Sequence, residues 1–504
     1  MKSSAINQAA YYALGIVMMK GISLLMIPYV TRQLSPVEYG TLEILLIFAD
    51  ISTLIIGFGL VEALNRYVGA SASNRGASQT LISQCFILAM FVCTLMMLAL
   101  YCSASSIINL LPAKVTTTQL FLIAFPALLE GLIAIPLTIM RMQSLAKYFC
   151  LLNVIKAMLQ ALMIIVLLQL DYGIDGILIA GALSSLFLVL CLLPYQWQQM
   201  DKGWYKNWYR NSLKSDYWQA MFKIMRYGAP IVLGRLGLFA MTGLDRWLLA
   251  EKVGIEQLAV YAIAVKFALI LALLMQPFGL WWFPYRFTLL KQNDGKAECA
   301  NYAMLGTNIC FILGFIMLLT LPTFMQLILP TAYHDAAFIV MALLAVNMVK
   351  NAGDLLNLGC FIKSSLSQMW VQWLCAVIAV IGYVLYIEDY GVWAAAAVLL
   401  FVYGLRLVLF YVYSQHILFL PYQHKTWQLT LLFGGLALVT FYLGIQPLLL
   451  SSFNTSVLEM MPLILALAVG AGLSLMYLAI LIFYKVLPNP LQLWQQRQAR
   501  LVVL

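Results

Sequence analysis

Hydrophobic residues in this chain neither alternate nor recur as stripes; they run on in long blocks separated by short polar segments. Crossing the roughly 30 Å hydrocarbon core of a bilayer takes about 20 apolar residues of helix. Blocks of that length fall near residues 11–31, 41–64, 77–101, 119–140, 149–170 and 174–195. After the longest polar segment they resume near 228–250, 258–285, 301–329, 336–358, 369–387 and 391–414, and two more follow near 427–450 and 458–484. The pattern predicts an all-α polytopic membrane protein of about fourteen transmembrane helices. Composition agrees: 64% of the 504 residues are hydrophobic, 10% are charged and the mean hydropathy is +0.93, far outside the range of soluble domains. The first block is too long for a cleaved secretory signal, so it is expected to remain as the first span.

Charge orients the spans. The 29 Lys and Arg exceed the 19 Asp and Glu, an excess that in so apolar a chain belongs to cytoplasmic loops and not to a nucleic-acid surface. With both termini in the cytoplasm, nineteen basic residues between spans fall on that side and four, Arg32, Lys114, Arg246 and Lys252, fall outside. The positive-inside rule therefore predicts cytoplasmic termini. The nine cysteines form no CxxC pair and stand with no His at ligand spacing, so they read as small buried hydrophobes and no metal is expected.

A short internal repeat divides the chain. LDYGIDG at 170–176 and EDYGVWA at 388–394 occupy the same turn between the fifth and sixth spans of each half. Six is an even number of spans, so both halves enter from the same side and are expected to be parallel repeats. The predicted organisation is a six-helix lobe over 1–195, a connector over 196–226, a second six-helix lobe over 227–420, and two additional helices with a tail over 421–504. The connector mixes basic residues with Trp197, Trp204, Tyr205, Trp208 and Tyr209, which suits a helix lying in the cytoplasmic headgroup layer.

Six basic residues fall inside spans: Lys20, Lys156, Arg235, Lys266, Lys350 and Arg406. At about 3 kcal/mol each for a lipid-facing position, most must line a shared interior or be paired. The acids Glu43, Asp50, Glu62, Glu130, Asp245 and Asp354 lie within or at the edges of spans, where acids serve either as ion-pair partners or as protonatable couplers. Glu43 and Asp50 are seven apart on one helix face, placed to answer Lys20. Lys350 precedes Asp354 by four residues, the spacing of an intrahelical pair. Asp245, beside Arg246 at the outer end of its span, fits an outer ion-pair latch. No cofactor is expected, apart from a coupled proton or sodium ion if the acids act as couplers.

In TRQLSPVEYG (31–40) Ser35 precedes Glu38 by three residues with Pro36 between, a capping box that starts the second span. As a string, Thr31, Arg32, Leu34, Ser35, Glu38, Tyr39 and Gly40 resemble the signature of the polysaccharide flippase family, the O-antigen type. That family belongs to the superfamily that also holds the MATE drug exporters and lipid II flippases. Tyr227, Gly228, Pro230, Asp245, Arg246 and Tyr261 extend the resemblance, as do Trp282, Pro284, Tyr333 and Ala337. It implies two six-helix lobes around a central cavity, the last two helices appended at the side. It also implies transfer of undecaprenyl-diphosphate-linked oligosaccharide from the cytoplasmic to the periplasmic leaflet of a bacterial inner membrane. A diphosphate needs cations within the bilayer, and Arg grips phosphate oxygens as a bidentate fork. The family's cavity is flanked by positions matching Lys20 and Arg235; Lys266 and Arg406 are the next cavity cations. The resemblance implies a transporter and not an enzyme, working as a monomer among membrane lipids and polysaccharide polymerase machinery.

Rival readings stay open at this level. A MATE-like exporter of cationic compounds should face its cavity with acids. A membrane polymerase or ligase would carry a sizeable outer loop, whereas the outer loops here are short and the three His form no constellation with a nucleophile. A channel needs no two-lobed repeat.

Overall fold

The computed structural model describes residues 2–57, 59–70, 75–200, 215–362, 366–445 and 460–483. Among these residues every regular element is helical and there is no strand. The helices are α1 (Lys2–Gln33), α2 (Pro36–Gly57), α3 (Leu60–Ala70), α4 (Arg75–Leu110), α5 (Thr117–Met142), α6 (Ala146–Gln169), α7 (Gly173–Gln199), α8 (Ser215–Thr242), α9 (Leu244–Lys252) and α10 (Ile255–Leu289). They continue as α11 (Gly295–Ile328), α12 (Ala336–Leu356), α13 (Leu366–Ile417), α14 (His424–Val439) and α15 (Met460–Phe483).

Twelve segments of the described residues are long and apolar enough to cross a membrane. One of them, Met369–Ile417, is 49 residues long and breaks at Gly391, whose φ of 56° is a left-handed conformation that glycine adopts without a Cβ penalty. It therefore supplies two spans. Pro230–Thr242 adds a shorter apolar helix, which brings the number to the fourteen read from the hydrophobic blocks. The seventh is not the continuous rod expected over 228–250: α8 stops at Thr242 and α9 restarts at Leu244. A Cβ at Gly243 would stand 2.3 Å from the Phe239 ring, so a larger residue at the break would require that ring to move.

Local chemistry starts α2 as expected. The Ser35 amide donates to Glu38 Oε2 at 2.8 Å and the Glu38 amide donates to Ser35 Oγ at 3.3 Å, satisfying two of the donors that a helix start leaves open. Thr116 and Gln119 repeat the device at α5. Ser35→Ala should cost about 1 kcal/mol, seen as a lowered melting midpoint of the purified protein; an unchanged midpoint would show that the cap carries no stability.

The chain divides into two compact units. The first takes residues up to Ala262 together with Ala376–Val392; the second takes Ile263–Cys375 and the residues from Trp393 onward. The boundaries cut helices: α10 is divided after Ala262, and α13 gives its middle, Ala376–Val392, to the first unit and both its ends to the second. Within the first unit α1 packs on α6 and α5 packs on α7. In the second, α11 packs on α12 and on α15, where Leu319, Ala437, Phe441 and Ala466 form a buried cluster. The division at 195, 226 and 420 rests on span order and remains an expectation. Residues 201–214 of the 196–226 connector lie outside the described residues.

The two DYG turns share a backbone device. Gly173 and Gly391 have φ of 50° and 56°. A Cβ at Gly173 would meet Glu38 in the first turn of α2, and one at Gly391 would meet Val253, just before α10. Since Gly40 of α2 lies against Ile255 of α10, both turns sit at one end of the first unit.

Candidate functional site

In the first unit α2 is fastened at both ends to the α8–α10 stretch, each time by a glycine contact with an ion pair nearby. At the α2 start, a Cβ on Gly40 would lie 2.2 Å from the Ile255 carbonyl oxygen. One turn on, Glu43 is buried, with its Oε2 4.0 Å from the Arg246 guanidinium. A buried carboxylate needs such a partner, because desolvation without one costs several kcal/mol. Arg246 also donates to the Thr242 carbonyl at 3.0 Å, an acceptor available because α8 ends there. Beside it Asp245 is buried and accepts from the Tyr261 hydroxyl at 2.7 Å, while the Tyr383 hydroxyl donates to the Met241 carbonyl at 2.7 Å.

At the other end of α2 the chain turns at Gly59, with φ of 66°, and a Cβ there would stand 2.7 Å from the Cα of Gly228 on α8. Two glycines let the backbones cross without side chains between them. Next to this crossing Arg235 of α8 forms an ion pair with Glu62 of α3 through one carboxylate oxygen. Their side chains are 42% and 31% exposed, so the guanidinium is held in place yet reachable.

The structure thus re-sorts the charges singled out by the spacing. Arg235 is positioned by Glu62, an acid whose partner was not legible in the chain. Glu43 shares with Asp50 the face that pointed toward Lys20, but its carboxylate stands 4.0 Å from the Arg246 guanidinium. Arg246 itself, assigned to an outer loop, sits in α9 with only 19% of its side chain exposed. Lys20 is exposed on α1, Asp50 is exposed on α2 and Lys266 is half-buried on α10. In the second unit Arg406 is buried, donates to Asp354 Oδ1 at 2.8 Å, and stacks 4.6 Å from the Phe410 ring centre. Asp354 therefore meets Arg406 of α13 as well as its helix neighbour Lys350, whose ammonium stands 5.6 Å from the Tyr403 ring centre.

Two features escape sequence reasoning. Arg286, assigned to a cytoplasmic loop, belongs to α10 and is 4% exposed. It is enclosed by the rings of Phe283, Phe287 and Phe361 at 4.8–5.1 Å and donates to Asn357 Oδ1 at 3.1 Å. The other is a cavity of about 250 Å³ among α2, α5, α6 and α7 in the first unit, faced by Glu130, Lys156, Gln160, Thr53 and Ser185. Among the described residues no group of three or more His, Cys, Asp or Glu is arranged to hold a metal ion.

Residues 6–289, more than half of the chain, match the family described as polysaccharide biosynthesis protein. The chain belongs to that family. A Haemophilus influenzae protein described as an uncharacterized membrane protein is 22% identical over 299 residues, spanning 58% of this chain and 68% of that one. Among solved structures, the lipid II flippase MurJ in its inward closed conformation aligns with a TM-score of 0.64 at 13% identity, covering 96% of this chain and 99% of that one. The outward-facing and inward-facing conformations of a MATE family multidrug resistance transporter of the MOP superfamily both align with a TM-score of 0.58, at 12% and 13% identity. They cover 81% and 80% of this chain and 95% and 94% of theirs. At such identities the likeness is one of fold: a multi-pass membrane protein with the MATE-like helical arrangement.

Proposed function

We propose that this chain is a flippase that carries an undecaprenyl-diphosphate-linked oligosaccharide, an O-antigen or related repeat unit, from the cytoplasmic to the periplasmic leaflet of a bacterial inner membrane. Membership of the polysaccharide biosynthesis family supports the class of substrate, and the fold shared with a lipid II flippase supports the type of step. The observation that carries the site is Arg235: a guanidinium within an apolar stretch, steadied by a single carboxylate contact and still 42% exposed. A cation bound that way can exchange its carboxylate for phosphate oxygens without ever being stranded in lipid. Lys20, exposed on α1, is the second cation of the proposed site. In this reading both termini are cytoplasmic, and two six-helix lobes alternate access by rocking about the site. The step needs positioned cations and no catalytic group.

A lipid diphosphate carries about two negative charges, and moving each outward across an inside-negative membrane releases about 2.3 kcal/mol per 100 mV. The potential alone then supplies roughly 4–5 kcal/mol, enough without a coupled ion. Cells deleted for the gene should lose their surface polysaccharide and accumulate its lipid-linked precursor on the cytoplasmic side, and the intact chain should restore display. In proteoliposomes, transport of the precursor should rise with an imposed potential. Transport that persists at zero potential while a proton or sodium gradient is maintained would overturn the potential-driven form and shift attention to Asp50 as the coupler. Display that survives deletion would overturn the function itself.

A further inference from the structure

A second cavity, of about 350 Å³, lies wholly within the second unit between α10 and α12. Its size falls at the lower end of the roughly 300–1,000 Å³ typical of small-molecule sites. Three groups give it polarity: the Gln276 and Asn351 amides and the Asp354 carboxylate. Asn351 uses one amide hydrogen on the Asn347 carbonyl at 2.8 Å. Asp354 gives Oδ1 to Arg406 and keeps 32% of its side chain exposed, so its charge is already balanced and the site presents no net demand for a cation. A fourth polar group comes from the backbone. Pro284 has no N–H to offer the Leu280 carbonyl four residues back, and Leu280 lines the cavity.

The rest of the wall is apolar, with Ala272, Met275, Leu280 and Leu355 beside two phenylalanines. Phe278 and Phe283 line the space. The Phe278 ring lies where a side chain at Gly306 would be, 2.3 Å from a Cβ built there, and it stands 5.8 and 6.4 Å from Trp281 and Trp282 between ring centres. Trp282 is fully buried. Gly279 adds space by lacking a side chain, with Phe283 closing over it. Neutral amides, a charge-balanced carboxylate and a freed carbonyl set between aromatic faces match a sugar ring. Its hydroxyls need directional donors and acceptors, and its C–H face lies against the negative face of an aromatic ring. An acyl chain would leave the polar groups unanswered at a cost, and a diphosphate would meet Asp354 first.

We propose that this pocket binds a sugar residue of the transported headgroup: Gln276, Asn351 and Asp354 bond its hydroxyls, and Phe278 and Phe283 cover its apolar face. The proposal rests on the lipid-linked oligosaccharide reading and assigns the glycan a place apart from the cations that hold phosphate. The cavity uses the second half of α10 and the last turns of α12, on the side that the charge-based orientation puts toward the cytoplasmic leaflet, where such lipids are loaded.

The test compares binding of three lipids to the full chain in nanodiscs by native mass spectrometry: undecaprenyl diphosphate, the same lipid carrying one N-acetylglucosamine, and the same lipid carrying one galactose. At least one sugar-bearing lipid should bind about tenfold tighter than the sugarless one, a factor that one or two well-made hydrogen bonds supply. Gln276→Leu with Asn351→Leu should erase that difference and leave binding of the sugarless lipid intact, which also shows that the variant is folded. Equal binding of all three lipids overturns the pocket while the flippase reading stands. Loss of sugarless binding in the variant assigns the pocket to the lipid chain and likewise overturns it. Failure of the unaltered protein to bind any of the three removes the lipid-linked reading and the pocket with it.

Discussion

Arg235→Ala abolishes display of surface glycan in cells that depend on this chain, and it does so without removing the protein from the membrane. The two outcomes separate because the ion pair is worth different amounts to folding and to transport. With side chains 42% and 31% exposed, the Arg235–Glu62 contact is close to a surface salt bridge, which contributes about 0–1 kcal/mol, so expression and melting should change little. A desolvated charge contact to bound phosphate is worth about 2–5 kcal/mol, a loss of at least tenfold and up to several thousandfold in binding. Arg235→Lys keeps the charge and loses the fork; partial display would assign the residue a field effect, and none would assign it a bidentate grip. Glu62→Gln, which frees the guanidinium and retains its shape, should preserve binding of the diphosphate lipid. Normal display from Arg235→Ala at normal expression would take the residue out of the site and leave Lys20 and Lys266 to be tested.

Gly40→Ala should lower the melting midpoint far more than a single methyl group ordinarily does. The added Cβ meets a backbone oxygen of Ile255 at 2.2 Å, with the Ile255 Cγ2 at 2.5 Å. A backbone atom cannot rotate aside, so α2 and the start of α10 must part by about 1 Å to restore ordinary contact, and overpacking of that kind costs about 1–3 kcal/mol. Gly21 on α1 supplies the internal contrast, since a Cβ there meets nothing within 4 Å. Gly21→Ala should instead gain roughly 0.5–1 kcal/mol from helix propensity alone. Opposite signs for the same substitution are the signature sought in thermal melts of the purified variants. Equal midpoints for both would mean that the α2–α10 contact gives way easily.

The contrast between these two glycines shows where sequence reading stopped. The number and approximate limits of the spans were legible because bilayer thickness sets them, and the capping box at Ser35 was legible because all of its atoms lie within four residues. Of the residues that carry the family resemblance, Tyr39, Gly40, Tyr261, Trp282, Tyr333 and Ala337 are buried, whereas Arg32, Ser35 and Pro230 are exposed: the buried part of the motif records how helices meet, but not which helices. Helices apolar on all sides carry no stripe to reveal a partner. Ion pairs were hidden for the same reason. Local spacing joined Lys350 to Asp354, whereas the hydrogen-bonded partner is Arg406, 52 residues on. Glu62 and Arg235 are 173 apart. Arg286 reads as a loop residue because it stands just past its apolar block, whereas α10 continues to Leu289 and a cage of phenylalanines takes the place of water.

Among the described residues the three arginine ion pairs that tie helices together share an order along the chain, whereas the exposed pair of Lys252 with Glu388 runs the other way. Glu62 precedes Arg235, Glu43 precedes Arg246, and Asp354 precedes Arg406. Spans enter the bilayer as they are synthesised, so each acid is threaded in while its base is still unmade. A carboxyl group can wait by taking up a proton and becoming neutral; a guanidinium, with a pKa above 12, has no such recourse. Had the arginines come first, each would have waited in hydrocarbon fully charged, against a penalty of about 3 kcal/mol. Acid first and base second lets each of these three arginines arrive with its carboxyl partner already in place, so the succession of charges along the polypeptide doubles as a programme for its own insertion.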